Sequence, residues 1–252
     1  MSLLLILILL AVAAFLIWWL IFETEGVYLG RRAVIALYDL YAHRYDRIKQ
    51  FDETADLTLI AEPILERIAP QTDPLILDLA TGTARLPLIM ARHARFEGHV
   101  IGVDASRRML DKAREKICSA RFESFITLLQ QDASELPFGD GCSDVVTCIE
   151  ALEFMPCPKR ALAEMIRVLR PGGLLLATIR IDTRWMPDRT WSEERMRLEL
   201  EALGMRDIDV MIWQEDYSQV WAWKAGDSPV VGPAQLEVIL QSARQVPITY
   251  VV

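Results

Sequence analysis

Three aspartates stand where apolar runs end: Asp78 in Leu75-Ile-Leu-Asp-Leu-Ala80, Asp104 closing Val100-Ile-Gly-Val-Asp104, and Asp132 just after Phe125 to Gln130. The first opens the turn Asp78-Leu-Ala-Thr-Gly-Thr-Ala-Arg85, whose only glycine is Gly82. A pyrophosphate-binding turn needs G-x-G-x-x-G, because glycines let the phosphates approach the backbone and a helix N-terminus offsets their charge. A carboxylate in such a turn repels phosphate and attracts an ammonium group, so this turn suits a nucleoside joined to an amino acid. Asp104, 26 residues after Asp78, is placed to accept both hydroxyls of a ribose, and Asp132 to meet an adenine amino group. Each aspartate alone reads as a loop or helix cap; the set of three around one turn carries the inference.

The elements that must position them alternate. Strands are predicted at 75–80, 100–104, 125–130, 144–149 and 174–179, and helices at 84–95, 106–118 (Ser106 as N-cap) and 159–169. A helix over 193–203 with Gly204 beyond its end, then strands at 208–214 and 218–223 joined by a polar turn, complete a seven-strand count. Strands separated by helices of this length form a parallel sheet, and the unbroken apolar character of the first, fourth and fifth fits strands covered on both faces. The expected fold is therefore α/β, a doubly wound and mostly parallel seven-stranded sheet with an antiparallel terminal pair. Residues 23–73 read as a helical lead-in, 74–226 as the core, and 227–252 as a tail with a helix over 234–243 and an unplaced apolar end, Ile248 to Val252.

Charge and composition narrow the partners. The 252 residues carry 27 Lys+Arg against 35 Asp+Glu, a net charge of −8, which disfavours broad nucleic-acid binding. Cys118, Cys142, Cys148 and Cys157 form no C-x-x-C pair and have no histidine at ligand spacing; buried free thiols are expected and no metal site.

The first 22 residues hold no charge, and Leu3 to Phe22 is an unbroken apolar run of twenty. As a helix it is about 30 Å long, the thickness of a bilayer's hydrocarbon core. Trp18 and Trp19 fall where an aromatic belt sits. The Met-Ser start, the length of the run and its exit through Trp-Trp-Leu-Ile-Phe point to a retained transmembrane helix rather than a cleaved signal. Arg31, Arg32, Arg44, Arg47 and Lys49 all follow it, so the lead-in and core are expected on the cytoplasmic side.

At this point the chain resembles a known family. Ile76-Leu-Asp-Leu-Ala-Thr-Gly-Thr83, Val103-Asp-Ala-Ser-Arg-Arg-Met-Leu-Asp-Lys-Ala-Arg114, Asp132-Ala-Ser-Glu-Leu-Pro-Phe138, Ser143-Asp-Val-Val146 and Arg167-Val-Leu-Arg-Pro-Gly-Gly173 are similar, in order, to the class I S-adenosylmethionine-dependent methyltransferases. Tyr38-Asp-Leu-Tyr-Ala-His-Arg-Tyr-Asp46 resembles the segment before the sheet in the ubiquinone/menaquinone-biosynthesis branch. The resemblance implies S-adenosylmethionine as cofactor, with Asp78, Ala80, Gly82 and Thr83 around its methionine part, Asp104 on the ribose, Ala105 and Met109 flanking the adenine, Asp132 and Ala133 at its edge, and Tyr45 closing over it. The sequence departs from Asp-x-Gly-x-Gly-x-Gly at Ala80 and Ala84, where a methyl fits if φ is negative but narrows the loop.

Methyl transfer from a sulfonium is an in-line displacement served by alignment and desolvation; a base is needed only if the acceptor must lose a proton. Candidates are Glu150 and Glu153 in Glu150-Ala-Leu-Glu-Phe-Met-Pro156, and His43 in the lead-in; Glu150 is equally a cofactor contact. Phe154, Met155, Trp185, Met186 and Trp191 are candidates to line an acceptor pocket or to pack on the sheet. Together with the bilayer as partner through residues 3–22, the expected activity is methylation of a small or lipid-soluble acceptor at the cytoplasmic face. Two other readings stay open: a membrane-bound cofactor-binding module without turnover, and a nicotinamide-dependent oxidoreductase on a similar sheet.

Overall fold

The computed structural model describes residues 3–181 and 186–244, apart from the side chains of Ser242 and Arg244. Trp185 and the apolar end at Ile248 to Val252 lie outside the described residues.

Seven strands form one sheet: β1 (Leu75–Leu79), β2 (His99–Asp104), β3 (Ile126–Gln130), β4 (Ser143–Cys148), β5 (Leu169–Arg180), β6 (Met205–Ile212) and β7 (Tyr217–Lys224). Their order is β3-β2-β1-β4-β5-β7-β6, with β7 antiparallel to both β5 and β6 and all other pairs parallel. The order reverses between β1 and β4, which opens a crevice at their carboxyl ends.

Helices α1 (Leu3–Trp18), α2 (Arg31–Tyr41), α3 (Tyr45–Lys49), α4 (Glu53–Asp56) and α5 (Glu62–Arg67) precede the sheet; α6 (Arg85–Arg92), α7 (Arg107–Ala120), α8 (Pro158–Val168), α9 (Glu193–Ala202) and α10 (Leu236–Arg244) follow. Alternate residues of β1 take opposite faces, as strand geometry requires. Leu75, Leu77 and Leu79 pack with Leu162, Met165 and Ile166 of α8 and with Met196 and Leu200 of α9. Ile76 packs with Leu86, Ile89 and Met90 of α6 and with Ile60, Ile64 and Leu65 of the lead-in. Ser106 caps α7 as expected, accepting from the Met109 N–H at 3.2 Å, and Gly204 follows α9 at φ 82°.

Three local expectations change. β5 starts at Leu169 rather than 174, because Arg-Pro-Gly-Gly runs on as an irregular extension whose pairing with β4 slips between Ser143 and Val145. The helix after β1 stops at Arg92, three residues short of expectation. Cys118 and Cys157 are exposed, so burial does not describe all four free thiols.

The apolar run continues beyond α1 as a wider i→i+5 turn, Trp19–Glu23, and Leu3–Glu23 is the one described helix long and apolar enough to cross a membrane. None of it is buried against the protein, though its end is tied down: the Trp19 ring stacks on Tyr28 at 5.2 Å, and Glu23 pairs with Arg180 at the carboxyl end of β5 at 2.9 Å.

Candidate active site

The crevice is an open cleft of about 780 Å³, its solvent-filled mouth included. Its floor is built from three strand ends: Ala80 and Gly82 after β1, Asp104 to Ser106 after β2, and Ile149 to Ala151 after β4. Gln131, Asp132 and Ala133 after β3 close one end, and Phe154, Met155 and Pro156 form an apolar wall. The roof is the lead-in, through Arg31, Val34, Ile35 and Tyr38 of α2 and Tyr45 of α3.

The turn after β1 is folded tightly enough to need left-handed backbone. Ala80, Gly82 and Ala84 have φ of 56°, 55° and 65°. This corrects the condition set above: both alanines have positive φ, a conformation costing a residue with a Cβ about 1–2 kcal/mol. Ala84 offsets part of this by fully burying its methyl beside Leu88 and Leu110, whereas Ala80 is only partly buried. Ala80→Gly is therefore expected to stabilise the protein by about 0.5–1 kcal/mol, raising the melting point by roughly 1–4 °C. An unchanged or lower melting temperature would show that the turn is not strained there. Gly102 supports the same turn from below, since a Cβ there would stand 2.9 Å from Thr81 Oγ1.

Asp104 organises this turn. Its Oδ2 accepts from the Gly82 N–H and its Oδ1 from the Ser106 N–H, both at 2.8 Å. The glycine N–H that a phosphate would require is thus already committed to a carboxylate. Asp78 lies one layer below, where Thr147 donates to its Oδ1 at 2.7 Å; it lines a smaller adjoining cavity shared with Thr81, Gly82, Thr83, Arg85 and Glu150. Burial pushes Asp78 and Asp104 up to about 6, against hydrogen bonds that hold each down: Thr147 for Asp78, the Ser106 and Gly82 N–H groups for Asp104.

The other expected residues divide. Ala105, Asp132 and Ala133 line the cleft with Asp104, Ala80, Gly82, Tyr45 and Glu150. Asp132 also accepts from both the N–H and hydroxyl of Ser134 at 2.7 Å and pairs with Arg31 at 2.9 Å. Thr83 lies in the adjoining cavity and donates to Asp46 at 2.5 Å. Met109 is fully buried in the first turn of α7 and lines none of the cavities. His43 is exposed and lines none of these three cavities. Glu153 is buried in the core and accepts from Tyr217 Oη at 2.5 Å, and desolvation pushes its carboxyl upward. Phe154 and Met155 line the wall, but Met186 and Trp191 are core residues.

Glu150, at φ 52°, is not a free base. Its carboxylate accepts from Arg85 at 2.7 Å and from Lys49 at 3.3 Å, while Arg85 also forks onto Asp56 at 2.6 and 2.7 Å. The Arg85 guanidinium lies 4.2 Å above the Phe51 ring. Sequence reasoning missed Arg85, and it missed the inner stripe of α2. Arg31, Val34, Ile35 and Tyr38 recur at i, i+3, i+4 and i+7, which is the signal that could have found them. It also missed Glu25, whose carboxylate is hydrogen-bonded by the Tyr38 hydroxyl at the edge of the cleft.

Comparison with known proteins agrees with the methyltransferase resemblance over part of the chain. Residues 77–177 match the family model described as a methyltransferase domain. The matched segment, which runs from β1 to β5, is similar to a methyltransferase domain. Demethylmenaquinone methyltransferases are similar to part of this chain: that of Desulfitobacterium hafniense is 37% identical over 102 residues, 40% of each chain. That of Symbiobacterium thermophilum is 34% identical over 137 residues, 54% of this chain and 55% of its own. The chain spans about half, or less, of the length of these curated relatives. An S-adenosylmethionine-dependent methyltransferase from Aquifex aeolicus superposes with a TM-score of 0.57 at 23% identity, over 71% of this chain and 97% of that one. The cyclase SpnF superposes with a TM-score of 0.64 at 18% identity, over 77% and 96%. Likeness at such identities shows the fold alone.

The cleft fits S-adenosylmethionine chemically. Its lining offers carboxylates to a cationic ligand beside the small apolar side chains of Ala105 and Ala133.

Proposed function

We propose that the chain is a membrane-anchored methyltransferase that acts on a lipid-soluble, quinone-type acceptor at the cytoplasmic face. The observation that carries this is the commitment of Asp104 to the Gly82 and Ser106 N–H groups inside an acidic cleft, which disfavours a dinucleotide and favours an amino-acid nucleoside. When bound, S-adenosylmethionine supplies an electrophilic methyl group on a sulfonium. Asp104 holds the ribose diol, the turn from Asp78 to Thr83 holds the methionine part, and Asp132 with Ala133 marks the adenine edge. Tyr45 and α2 cover the cleft and exclude water. Phe154, Met155, Val34 and Ile35 offer the apolar contact that a ring acceptor needs. The names of the relatives support a quinone, and the unburied Leu3–Glu23 helix, without a charged side chain before Glu23, supports the anchor.

The test is to reconstitute the full chain in lipid vesicles with methyl-labelled S-adenosylmethionine and a reduced, demethylated naphthoquinone. The expected result is a singly methylated quinol in the lipid phase, with one proton and S-adenosylhomocysteine released. Cofactor binding without label transfer to this or other quinols would instead favour the module without turnover.

The buried aspartates give the site a pH dependence. Their folded values near 6 lie above the ordinary 3.8, so the native protein holds protons that the unfolded chain releases between about pH 4 and 6. Through these two groups the ligand-free protein loses stability as pH rises across that window. A cationic cofactor favours the ionised carboxylates, so its affinity is expected to rise from pH 5 to pH 7, with protons released on binding. Titration calorimetry in buffers of different ionisation enthalpy measures that release; proton uptake at pH 6 would contradict it.

A further inference from the structure

Helix α2 has two working faces. Arg31, Val34, Ile35 and Tyr38 look into the cleft, and the opposite face carries Arg32, Ala36 and Leu40, all exposed. Exposure continues along the following turn and α3 at Arg44, Arg47 and Ile48 and precedes α2 at Leu29. Leu29, Leu40 and Ile48 are 56%, 58% and 60% exposed, three large aliphatic side chains within one segment of twenty residues.

The charge on this segment is as distinctive. Residues 29–49 hold five Lys+Arg against two Asp, a net +3 in a chain of net −8. Both aspartates have partners: Asp39 accepts from Ser106 Oγ at 2.6 Å and from the Arg108 N–H at 3.2 Å, and Asp46, itself exposed, holds Thr83 and Lys116. Arg31 and Lys49 are also engaged inward, on Asp132 and Glu150. Arg32, Arg44 and Arg47 remain on the outside with no ion-pair partner among the described residues. Arginines alternating with exposed Leu and Ile are what a helix lying on an anionic lipid surface presents.

Position agrees with chemistry. The segment begins six residues after the apolar helix ends at Glu23, and that end is fastened to the carboxyl edge of the sheet by the Glu23–Arg180 pair and to the lead-in by the Trp19–Tyr28 stack. The edge where the cleft opens is therefore held beside the end of the span.

We propose that the outer face of residues 29–48 seats on the anionic phospholipid surface of the bilayer that α1 spans, so that α2 has lipid headgroups on one side and the cleft on the other. The proposal rests on the membrane-anchor reading. A lipid-soluble acceptor then reaches the apolar wall at Phe154 and Met155 past a helix already in contact with the headgroups. Each exposed arginine contributes about a 5-fold gain in partition onto an anionic surface.

The experiment uses the full chain, with Cys118→Ser and Cys157→Ser, in nanodiscs of phosphatidylcholine with and without phosphatidylglycerol. Nitroxide labels are placed singly at Leu40→Cys and Ile48→Cys, with Leu10→Cys in the span and Leu198→Cys on α9 as references. In the anionic discs the labels at 40 and 48 should become accessible to oxygen and shielded from a water-soluble nickel chelate, as at 10 and unlike at 198. Arg32→Gln, Arg44→Gln and Arg47→Gln combined should return them to water while leaving S-adenosylhomocysteine affinity unchanged. Labels at 40 and 48 that stay nickel-accessible in anionic discs while 10 is shielded would overturn the proposal and leave the anchor standing. A nickel-accessible label at 10 would overturn the anchor itself, and this proposal with it.

Discussion

Arg85→Ala is expected to lower the stability of the protein by about 3–5 kcal/mol, the cost of leaving buried carboxylates without their partner. The side chains of Arg85, Asp56 and Glu150 are 13%, 5% and 10% exposed, so little solvent screens them. Arg85 spans two carboxylates from different parts of the chain, with its charge spread by hydrogen bonds onto Asp56 and Glu150 and its face covered by Phe51. Removing it strands Asp56 entirely and leaves Glu150 only the longer contact to Lys49. For a domain of this size the melting temperature should fall by roughly 6–20 °C. Arg85→Lys should recover little, because an ammonium cannot fork onto one carboxylate while reaching a second. Calorimetry at neutral pH is the measurement, and a fall of under about 2 °C would mean that the network is solvated and structurally idle. Adding Asp56→Asn and Glu150→Gln to Arg85→Ala should restore part of the loss.

Asp104→Ala should act on the cofactor rather than chiefly on the fold. The carboxylate fixes two backbone N–H groups of the surrounding loops, and hydrogen bonds to a charged group contribute about 1.5–3 kcal/mol each. Its loss removes the ribose acceptor and releases the Gly82 turn, so affinity for S-adenosylhomocysteine should fall about 10²-fold. Asp104→Asn keeps one acceptor oxygen and should fall in between. Equal affinities for all three proteins, measured by calorimetric titration, would remove Asp104 from the site. Because this aspartate carries a burial cost when ionised, the ligand-free Asp104→Ala protein should melt close to the unaltered chain at pH 7.

These two residues also show what the sequence discloses and what it does not. Asp104 was legible because it closes an apolar run, and strand ends carry ligands in a doubly wound sheet. The positions of β1 to β4, and of the antiparallel β6 and β7, followed from the same alternation within a few residues. Arg85 was not legible as a hub: its partners lie 29 and 65 residues away, and ion pairs formed across a fold leave no periodic trace. The φ angles of Ala80 and Ala84 stayed open for a related reason, since alanine in a strained turn is spelled like alanine in a helix. The early start of β5 was not legible because Arg-Pro-Gly-Gly breaks the apolar pattern, whereas Arg170 pairs with Asp144 at 2.7 Å and keeps the chain at the sheet. The roof of the cleft was half legible: the tyrosines of the lead-in stood out, but the stripe through Arg31, Val34 and Ile35 did not.

The central claim is that an acidic, glycine-poor turn at the sheet's switch point selects a cationic amino-acid nucleoside over a dinucleotide. Titration of the detergent-solubilised full chain with S-adenosylmethionine, S-adenosylhomocysteine and NADH tests it directly. The account predicts saturable one-to-one binding of the first two and no binding of NADH. Saturable binding of NADH, with neither sulfur nucleoside bound, would contradict it.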